Sequence, residues 1–563
     1  MNKAKWLIPP VRPEAETLAS ELGLPLAIAR ILANRGLTSP EAAQTFLYGT
    51  LDKLPDPYLM KDMDRAVARL QLAARRKEKV LIFGDYDVDG VLSVVILLRA
   101  LRSLGIEADY FIPERLKEGY GIKDEHLRVV EERQAGLVIS VDCGIKAISF
   151  ARAARAKGID VIITDHHRPG EDLPQAEAIL NPVLSDSGYP YRGLAGVGVV
   201  FKLLQALLTR AGKAAGLPHY AKLVAIGTIA DVAELRGENR LLVREGLRGL
   251  ASVANRGLQS LIDECGLGRK KITEGDIGFR LAPRINAAGR MGAADAAVKL
   301  FFSDSGEESA RLARRLSELN TQRQGEEDRI FSEAAGRIRA DSLDSRHKLL
   351  VLGCETWHRG VIGIVASKLK DAFYRPVVLL TYDNGMAFGS GRSISEFSLI
   401  DCLDECRDVF LNYGGHTLAV GCTLPRERVS QFKERANGIA GAKLGADELR
   451  RKIRVDTALD FSEIDDPFID AYHLLSPFGV GNPKPLFQTS DVEVWSAPQL
   501  IHGKHLKFVA RQAGRSFEAI GWDMADRREE IRRGSRISLV YSLLSSNYLG
   551  EDRYSLCIED IEG

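Results

Sequence analysis

Residues 80–98 read VLIFGDYDVDGVLSVVILL and place three carboxylates, Asp85, Asp87 and Asp89, between two apolar runs. The first run, 80–83, is short, rich in β-branched residues and closed by Gly84, so it predicts a buried strand. The second run, 91–98, predicts an apolar helix with Asp89 at its N-terminal end. The helix dipole alone cannot neutralise three negative charges on one turn, so this crowding indicates a bound cation.

An EF-hand calcium loop also begins with the pattern D-x-D-x-D-G, but it needs a preceding helix and a bidentate Glu at its twelfth position. Here the twelfth position is Ile96, and the preceding run predicts a strand. A solvated acidic turn is the other alternative, and the later motifs argue against it. The stretch therefore predicts a metal site on a strand-to-helix turn.

Length and composition describe a multidomain protein without a membrane span. The chain has 563 residues, of which 45% are hydrophobic and 27% charged, so three or four domains are expected. No apolar run approaches the ~20 residues of a transmembrane helix, and residues 1–10 lack the features of a signal peptide, which predicts a cytoplasmic location. The net charge is only +1, so a polyanionic partner would have to meet a local basic patch.

The seven cysteines are scattered and contain no C-x-x-C pair. This pattern indicates neither a disulfide framework nor a zinc site. Cys402 and Cys406 are one helical turn apart, and we expect them to be small core residues.

Acids and imidazoles follow successive strand-like runs in the first half of the chain. Runs 80–83, 137–141 and 161–163 alternate with helical segments, which predicts a parallel α/β sheet. The second run ends in Asp142, and the third ends in Asp165, His166 and His167. Because ligands bind at the carboxyl ends of strands in such sheets, we expect these side chains to converge.

Asp231 interrupts the apolar stretch 221–235, where an unpartnered carboxylate would be costly. The predicted ligands share hard oxygen or imidazole donors and lack thiolate: Asp87, Asp89, Asp142, His166 and Asp231. This set suits Mn²⁺ or Mg²⁺. So many carboxylates predict two ions about 3.5–4 Å apart that share Asp142, an arrangement used for phosphoester hydrolysis. His167 is expected to face the substrate, and Asp165 to orient an imidazole.

The second half of the chain carries further polar motifs. RLAPRINAAGR contains Arg280, Arg284, Asn286 and Arg290 and predicts either a surface loop or a phosphate-binding segment. Residues 307–340 predict a long connecting helix. A second α/β unit follows, and its loops would supply a phosphate cradle of glycine-freed amides. The side chains beside those glycines are His358 and Arg359 in WHRG, Ser390 and Arg392 in GSGRS, and His416 in GGH.

After residue 452 the sequence becomes strand-rich. Five alternating runs around a short helix at 524–533 predict an OB-type β-barrel. Trp495, Phe508, Trp522 and Tyr541 are expected either to stack bases or to fill the barrel core.

Taken together, GDYDVDG, VDCG, TDHH, GTIADV, RINAAGR and GGH resemble the DHH phosphoesterase superfamily. In motif order and length the chain is similar to its RecJ-type exonuclease family from about residue 51 to the C-terminus. The resemblance implies an α/β fold, with a parallel-sheet DHH domain and a smaller α/β DHH-associated domain joined by a long helix, and a C-terminal OB-like barrel. The expected boundaries are an N-terminal segment 1–50, DHH domain 51–270, connecting segment and long helix 271–340, DHH-associated domain 341–450 and OB-like domain 451–563.

The resemblance also carries site residues and an activity. It places Asp85 among the metal-site acids, His167 at the substrate, and Asp87, Asp89, Asp142, His166 and Asp231 at the metal. It implies 5′-to-3′ digestion of single-stranded DNA to mononucleotides, in repair and recombination. A terminal-phosphate pocket would then be needed, for which Arg115, Ser390 and Arg392 are the candidates. Expected partners are single-stranded DNA, a single-strand-binding protein and a helicase, with the chain acting as a monomer.

Two other functions stay open from the sequence. One is a phosphodiesterase for short oligonucleotides or cyclic dinucleotides, although such a substrate does not need the barrel. The other is a non-catalytic adaptor that binds single strands, which the intact set of acids makes less favourable.

Overall fold

The structure, a computed structural model, describes residues 4–114, 119, 121–268, 270–548 and 551–563. Arg115, one of the predicted phosphate ligands, lies outside these residues. The chain divides into two compact units. The larger unit comprises Leu54–Ala233 and Leu242–Arg450, and the smaller comprises Met1–Lys53, Glu234–Leu241 and Arg451–Gly563. Within the described part of the chain, no helix has both the length and the apolar character needed to cross a bilayer.

The first sheet of the larger unit is entirely parallel, as predicted. Its strands, in spatial order, are Ala108–Phe111, Val80–Gly84, Leu137–Val141, Asp160–Thr164 and Ala178–Leu180. The two central strands, VLIFG and LVISV, are buried at every position, because helices cover both faces of such a sheet. The main helices of this part are Met63–Arg76, Val88–Ser103, Leu127–Glu132, Ile148–Ala156, Gly196–Arg210 and Leu217–Ala230.

The strand order contains a reversal that creates a crevice. The chain leaves Val80–Gly84 for the strand on one side, Ala108–Phe111, and then crosses to the strand on the other side, Leu137–Val141. The connections after Val80–Gly84 and after Leu137–Val141 therefore diverge to opposite faces. Such a switch point, at the carboxyl ends of the strands, is where open α/β sheets bind ligands.

Helices then lead to a second sheet. They are Arg256–Glu264, Ala282–Arg290, Ala294–Phe302 and the long helix Gly306–Ala340. Residues 307–340 were predicted to form that long helix, and its stripe of Leu312, Leu316, Leu319, Ile330, Ala334 and Ile338 is buried. Ser305 caps its start, since the hydroxyl accepts from the Glu308 amide at 3.3 Å. RINAAGR lies within helix Ala282–Arg290, so the alternative of a surface loop was wrong.

The second sheet is mixed, in the order Asn412–His416, Ala419–Pro425, Met386–Arg392, Val377–Asp383 and Leu350–Cys354. Helix Ile362–Phe373 packs on one face, and Leu399–Glu405 and Val429–Lys443 pack on the other. Cys402 and Cys406 are buried in this core, as predicted. GSGR and GGH lie in strands rather than loops. The expected loop placement of these two motifs was therefore wrong. GSGR lies in a strand that pairs on both sides, whereas GGH lies in the edge strand, which pairs only with Ala419–Pro425, so phosphate binding by its glycine amides stays a prediction.

The smaller unit contains the predicted barrel. Its five strands close in the order Phe487–Val494, Arg536–Tyr548, Glu551–Glu562, Arg515–Gly521 and His505–Gln512, with the last pairing back to the first. Phe508 and Tyr541 are in its core, whereas Trp495 and Trp522 are about half exposed. Helices Glu14–Leu22, Leu26–Asn34, Pro40–Tyr48 and Asp466–Leu474 pack into the same core. Strand Lys5–Leu7 pairs with Lys452–Arg454.

A buried arginine holds several segments of the smaller unit together. Arg240 is 1% exposed, and its guanidinium carbon lies 3.6 Å from the centre of the Phe46 ring. The guanidinium donates to the backbone carbonyls of Phe46, Leu474, Leu475, Ser476 and Pro477 at 2.8–3.3 Å. One side chain thus satisfies carbonyls from two distant segments, which would otherwise be buried without donors.

Replacing this arginine should destabilise the smaller unit. Arg240→Leu is expected to lower its free energy of unfolding by roughly 3–5 kcal/mol, because several carbonyls lose their donor. Urea unfolding followed by tryptophan fluorescence measures this change, since Trp6, Trp495 and Trp522 are three of the chain's 4 tryptophans and lie in this unit. The matched control is Arg248→Leu, at a half-exposed position on helix Gly237–Gly249, which also carries Arg240. Equal shifts for both variants would contradict the assignment.

Candidate functional site

Three strands end side by side at the switch point, and each is followed directly by one of the predicted acids. Gly84 pairs with Val141, and Val141 pairs with Thr164. The residues that follow these strands, Asp85, Asp142 and Asp165, therefore start at the same level of the sheet edge. Asp142 has a φ of +58°, so the chain turns sharply there, which is uncommon for a residue with a side chain.

Backbone amides fix the acids of the GDYDVDG turn. Asp87 caps helix Val88–Ser103, since its carboxylate accepts from the Gly90 amide at 3.0 Å. Asp89 accepts from the Gly196 and Val197 amides at 2.7 and 2.8 Å, at the N-terminus of helix Gly196–Arg210. Both carboxylates are thus held at helix N-termini, where amides and the helix dipole favour negative charge.

The two histidines have different surroundings. The Nε2 atom of His166 lies 3.1 Å from a carboxylate oxygen of Asp142, and its Nδ1 lies 3.8 Å from one of Asp231. The Nδ1 atom of His167 lies 2.7 Å from Asp165, which also accepts from the amides of both histidines. Asp165 therefore orients His167, while His166 belongs to the acidic cluster.

Three groups of side chains could each hold a metal ion, with their donor atoms within 4.8 Å of one another. They are Asp85–Asp87–Asp142, Asp89–His166–Asp231 and Asp142–His166–His167. Every side chain predicted to bind metal belongs to at least one of these groups. The first two groups have no residue in common, so the chain offers two separate sets of ligands.

The acids are crowded enough to resist ionisation together. Burial and the neighbouring Asp87 raise the pKa of Asp89 to about 7. Burial and the negative charge of Asp89 raise the pKa of Asp231 to about 9, and the same causes raise that of Asp142 well above its usual range. Burial lowers the pKa of His166 to about 4, which keeps its imidazole neutral and able to bind a cation.

The pKa values of Asp165 and His167, which form a hydrogen-bonded pair next to the cluster, shift in the opposite directions. Burial acts against charge on both side chains, but the mutual hydrogen bond and attraction of His167 and Asp165 outweigh it. The pKa of Asp165 is lowered and that of His167 is raised. The pair therefore favours a protonated imidazole beside a carboxylate.

The donor set fits a divalent cation. The Asp142 and His166 atoms that approach to 3.1 Å are buried and form no aligned hydrogen bond with each other, so each directs lone pairs into the same small space. A Cβ atom at Gly196 would lie 2.6 Å from Asp142, so glycine is required for this close approach. Carboxylate oxygens and neutral imidazole without thiolate match Mn²⁺ or Mg²⁺.

A cavity of about 760 Å³ lies beside the cluster. Tyr86 contributes to its wall from the GDYDVDG turn, and Lys146 from the loop after Asp142. The second sheet and its preceding loop supply Arg359, Ser390 and Arg392, and helix Ala282–Arg290 supplies Arg290. The lining thus brings four cationic side chains, and among the described lining residues no carboxylate, next to the predicted metal ligands.

Other predicted substrate residues lie elsewhere among the described residues and do not line this cavity. The Asn286 side chain accepts from the Val88 amide at 3.2 Å and so supports the acidic turn. Arg280 donates to the Cys265 carbonyl, and Arg284 donates to Ser317 and to the Arg280 carbonyl. His358 accepts from the Gly360 amide, and His416 is exposed at the end of a strand. Their contact with substrate stays a prediction.

Three residues of the cavity wall, Tyr86, Lys146 and Phe388, were not predicted from the sequence. Tyr86 and Lys146 each lie within four residues of a predicted ligand, and this proximity was the available signal. Phe388 precedes the GSGR motif by one residue, and only its place in a strand shows that it shares a face with Ser390 and Arg392.

Comparison with known proteins supports the same domains. Residues 79–228 match the N-terminal domain of the DHH family, residues 346–442 the DHHA1 domain, and residues 455–560 the RecJ OB domain. The single-stranded-DNA-specific exonuclease RecJ of Bacillus subtilis is 38% identical over 99% of this chain and 71% of its own length. That of Escherichia coli is 31% identical over 97% of each chain.

Solved structures agree with the sequence relatives. RecJ of Thermus thermophilus in complex with Mn²⁺ superimposes with a TM-score of 0.86 at 30% identity, over 100% of this chain and 80% of the other. Its complex with Mg²⁺ gives a TM-score of 0.80 at 29% identity, over 100% of this chain and 79% of the other. With the converging acids, the matching domain series and this length of similarity, the chain belongs to the RecJ family of the DHH superfamily.

Proposed function

We propose that this chain is a metal-dependent exonuclease that degrades single-stranded DNA from the 5′ end to mononucleotides. The observation that carries this proposal is the cavity of cationic side chains directly beside the cluster of acids and imidazoles. Relatives that are 31–38% identical over nearly the whole of this chain are named single-stranded-DNA-specific exonuclease RecJ, and RecJ of Thermus thermophilus has been crystallised with Mn²⁺ and with Mg²⁺.

Two ions, Mn²⁺ or Mg²⁺, would be held by the two ligand sets that have no residue in common. Asp85, Asp87 and Asp142 form the first set, and Asp89, His166 and Asp231 form the second. Asp142, which also lies 3.1 Å from His166, would be shared between the two ions. Such ions supply a hydroxide nucleophile near neutral pH and stabilise negative charge on the phosphoryl group. The protein's part is to fix Asp85, Asp87 and Asp89 by hydrogen bonds from backbone amides and to keep His166 neutral.

Three further elements act on the substrate itself. Protonated His167, held by Asp165, would donate a hydrogen bond to a phosphate oxygen or to the leaving group. Lys146, Arg290 and Arg392 would neutralise phosphates along the cavity. Ser390, which lies 3.3 Å from Arg392, would complete a pocket for the terminal phosphate, together with Arg115.

Family membership also supports the wider role that we propose. The enzyme would act in the cytoplasm during DNA repair and recombination, as a monomer that meets single-strand-binding protein and a helicase on its substrate. The predicted domain boundaries at residues 50, 270, 340 and 450 belong to the same proposal.

Removing the central carboxylate should abolish cleavage but not DNA binding. Asp142→Ala is expected to lower the cleavage rate on the order of 10³-fold or more, since several kcal/mol of transition-state stabilisation are lost. Cleavage is followed with a labelled single strand, and binding by fluorescence anisotropy. Asp186→Asn, at an exposed carboxylate paired with Lys61, is the control and should keep full activity. Substantial cleavage by Asp142→Ala would refute the site assignment.

Metal binding should stabilise the protein more strongly at higher pH. The folded metal-free protein holds protons on Asp89 and Asp231 that the unfolded chain has released, because their pKa values are raised to about 7 and about 9. Their contribution to stability is therefore lost as pH rises from about 4 to about 9. Mn²⁺ needs these groups deprotonated, so it should raise Tm more at about pH 8 than at about pH 6.

Differential scanning calorimetry with and without Mn²⁺ at both pH values measures this effect. Asp231→Asn should reduce the pH dependence of the Mn²⁺-induced Tm shift, whereas Asp186→Asn should not. A Tm shift that does not grow with pH in the unsubstituted protein would contradict the assignment of these acids as ligands.

The direction of digestion should depend on the terminal phosphate. Strands labelled at the 5′ end should lose label at once as mononucleotides, and 3′-labelled strands should shorten progressively. Arg392→Ala is expected to raise KM roughly tenfold for 5′-phosphorylated strands and much less for 5′-hydroxyl strands, because a charge-assisted hydrogen bond is lost. Release of mononucleotides from the 3′ end, or an equal effect of Arg392→Ala on both strands, would count against this pocket.

A further inference from the structure

A stacked pair of side chains forms part of the cavity wall. The guanidinium carbon of Arg359 lies 3.9 Å from the centre of the Phe388 ring, and both residues line the cavity. Phe388 is half-buried and Arg359 is exposed. Because the aromatic ring covers one face of the planar guanidinium, the pair presents a flat, cationic surface rather than a flexible point charge.

The strand that carries Phe388 places this pair next to the proposed phosphate pocket. Side chains alternate along strand Met386–Arg392, so Phe388, Ser390 and Arg392 share the face that lines the cavity. On the opposite face, Gly389 and Gly391 leave no room for a side chain. An added Cβ would lie 2.5 Å from Cys422 at the first glycine and 2.8 Å from Val420 at the second. Phe388 thus lies in one row with Ser390 and Arg392, the proposed hydrogen-bond donors to the phosphate.

A glycine on the neighbouring helix keeps this row open. A Cβ at Gly363 would lie 2.9 Å from the Ser390 hydroxyl and 3.4 Å from the Arg392 guanidinium. The Arg290 guanidinium donates to the Gly360 carbonyl at 2.9 Å, which ties the loop that carries Arg359 to helix Ala282–Arg290. The stacked pair is therefore held in a defined position relative to Ser390 and Arg392.

We propose that the Arg359–Phe388 pair is a stacking platform for the base of the nucleotide whose phosphate binds at Ser390 and Arg392. This inference rests on the proposed function and names the subsite that the base occupies. Every nucleobase has a π-face, so stacking on a guanidinium plane or an aromatic ring binds single strands with little regard to sequence. A platform of this kind holds the terminal nucleotide whichever base it carries.

The test compares two 5′-phosphorylated single strands that differ only in their terminal nucleotide, which carries a base in one and is abasic in the other. The unsubstituted protein should cleave the strand with the base on the order of tenfold more efficiently in kcat/KM. Arg359→Ala and Phe388→Leu should bring the two strands close to equality. Arg359→Lys should do the same, since it keeps the charge but removes the plane.

The matched control is Arg426→Ala. Arg426, directly after strand Ala419–Pro425, lies over the ring of Tyr382 in the same sheet at 4.7 Å, but neither residue lines the cavity. This variant should keep the preference for the terminal base. If the unsubstituted protein shows no preference, or if Arg359→Ala slows both strands equally, Arg359 is a phosphate contact and the platform is refuted.

A binding measurement separates failure of this inference from failure of the proposed function. A strand with 2-aminopurine at its 5′ end should lose fluorescence on binding to the unsubstituted protein, because stacking quenches that base, and should lose much less on binding to Arg359→Lys. If neither strand is cleaved, the proposed activity fails while quenching still tests the platform. Equal quenching by the unsubstituted protein and by Arg359→Lys would refute the stacking platform.

Discussion

Mutual repulsion among buried carboxylates is the constraint on which the rest of the larger unit depends. Asp142 is 1% exposed, and it lies close to other acids at the end of a strand that is buried at every position. The raised pKa values of Asp89, Asp142 and Asp231 express the cost of this arrangement. Backbone amides of Gly196 and Val197 offset part of this cost at Asp89, and a divalent cation would offset the repulsion among the three acids.

The remaining architecture brings a second surface to this charged edge. Helix Ala282–Arg290 supports the acidic turn through Asn286 and binds the loop of the second sheet through Arg290. A Cβ at Gly289 would lie 2.2 Å from the Tyr86 carbonyl, so this helix approaches the turn backbone to backbone. The sheet that carries Ser390 and Arg392 thereby shares one cavity with Tyr86 and Lys146, which adjoin the predicted metal ligands in sequence, although the two sheets lie far apart along the chain.

Prediction from the sequence succeeded where local pattern and chemistry coincide. Buried strands followed at once by acids specified the parallel sheet and the edge at which these acids meet, because hydrophobic period and strand polarity are properties of short segments. It failed for GSGR and GGH, which read as glycine-rich loops but pair in a sheet. In GSGR, Gly389 and Gly391 allow close packing against Cys422 and Val420. Nothing local distinguishes these two uses of glycine.

By itself the sequence determined the acidic turn, the strand ends that carry Asp142 and His166, the long helix and the five strands of the barrel. Each of these depends on residues close together in the chain. Only the tertiary structure decided that residues 1–53 pack with residues 451–563, that Arg280 and Arg284 point to backbone and Ser317, and that Phe388 stacks under Arg359. These features depend on which surfaces meet, and that choice is made by packing between distant segments, which no local pattern encodes.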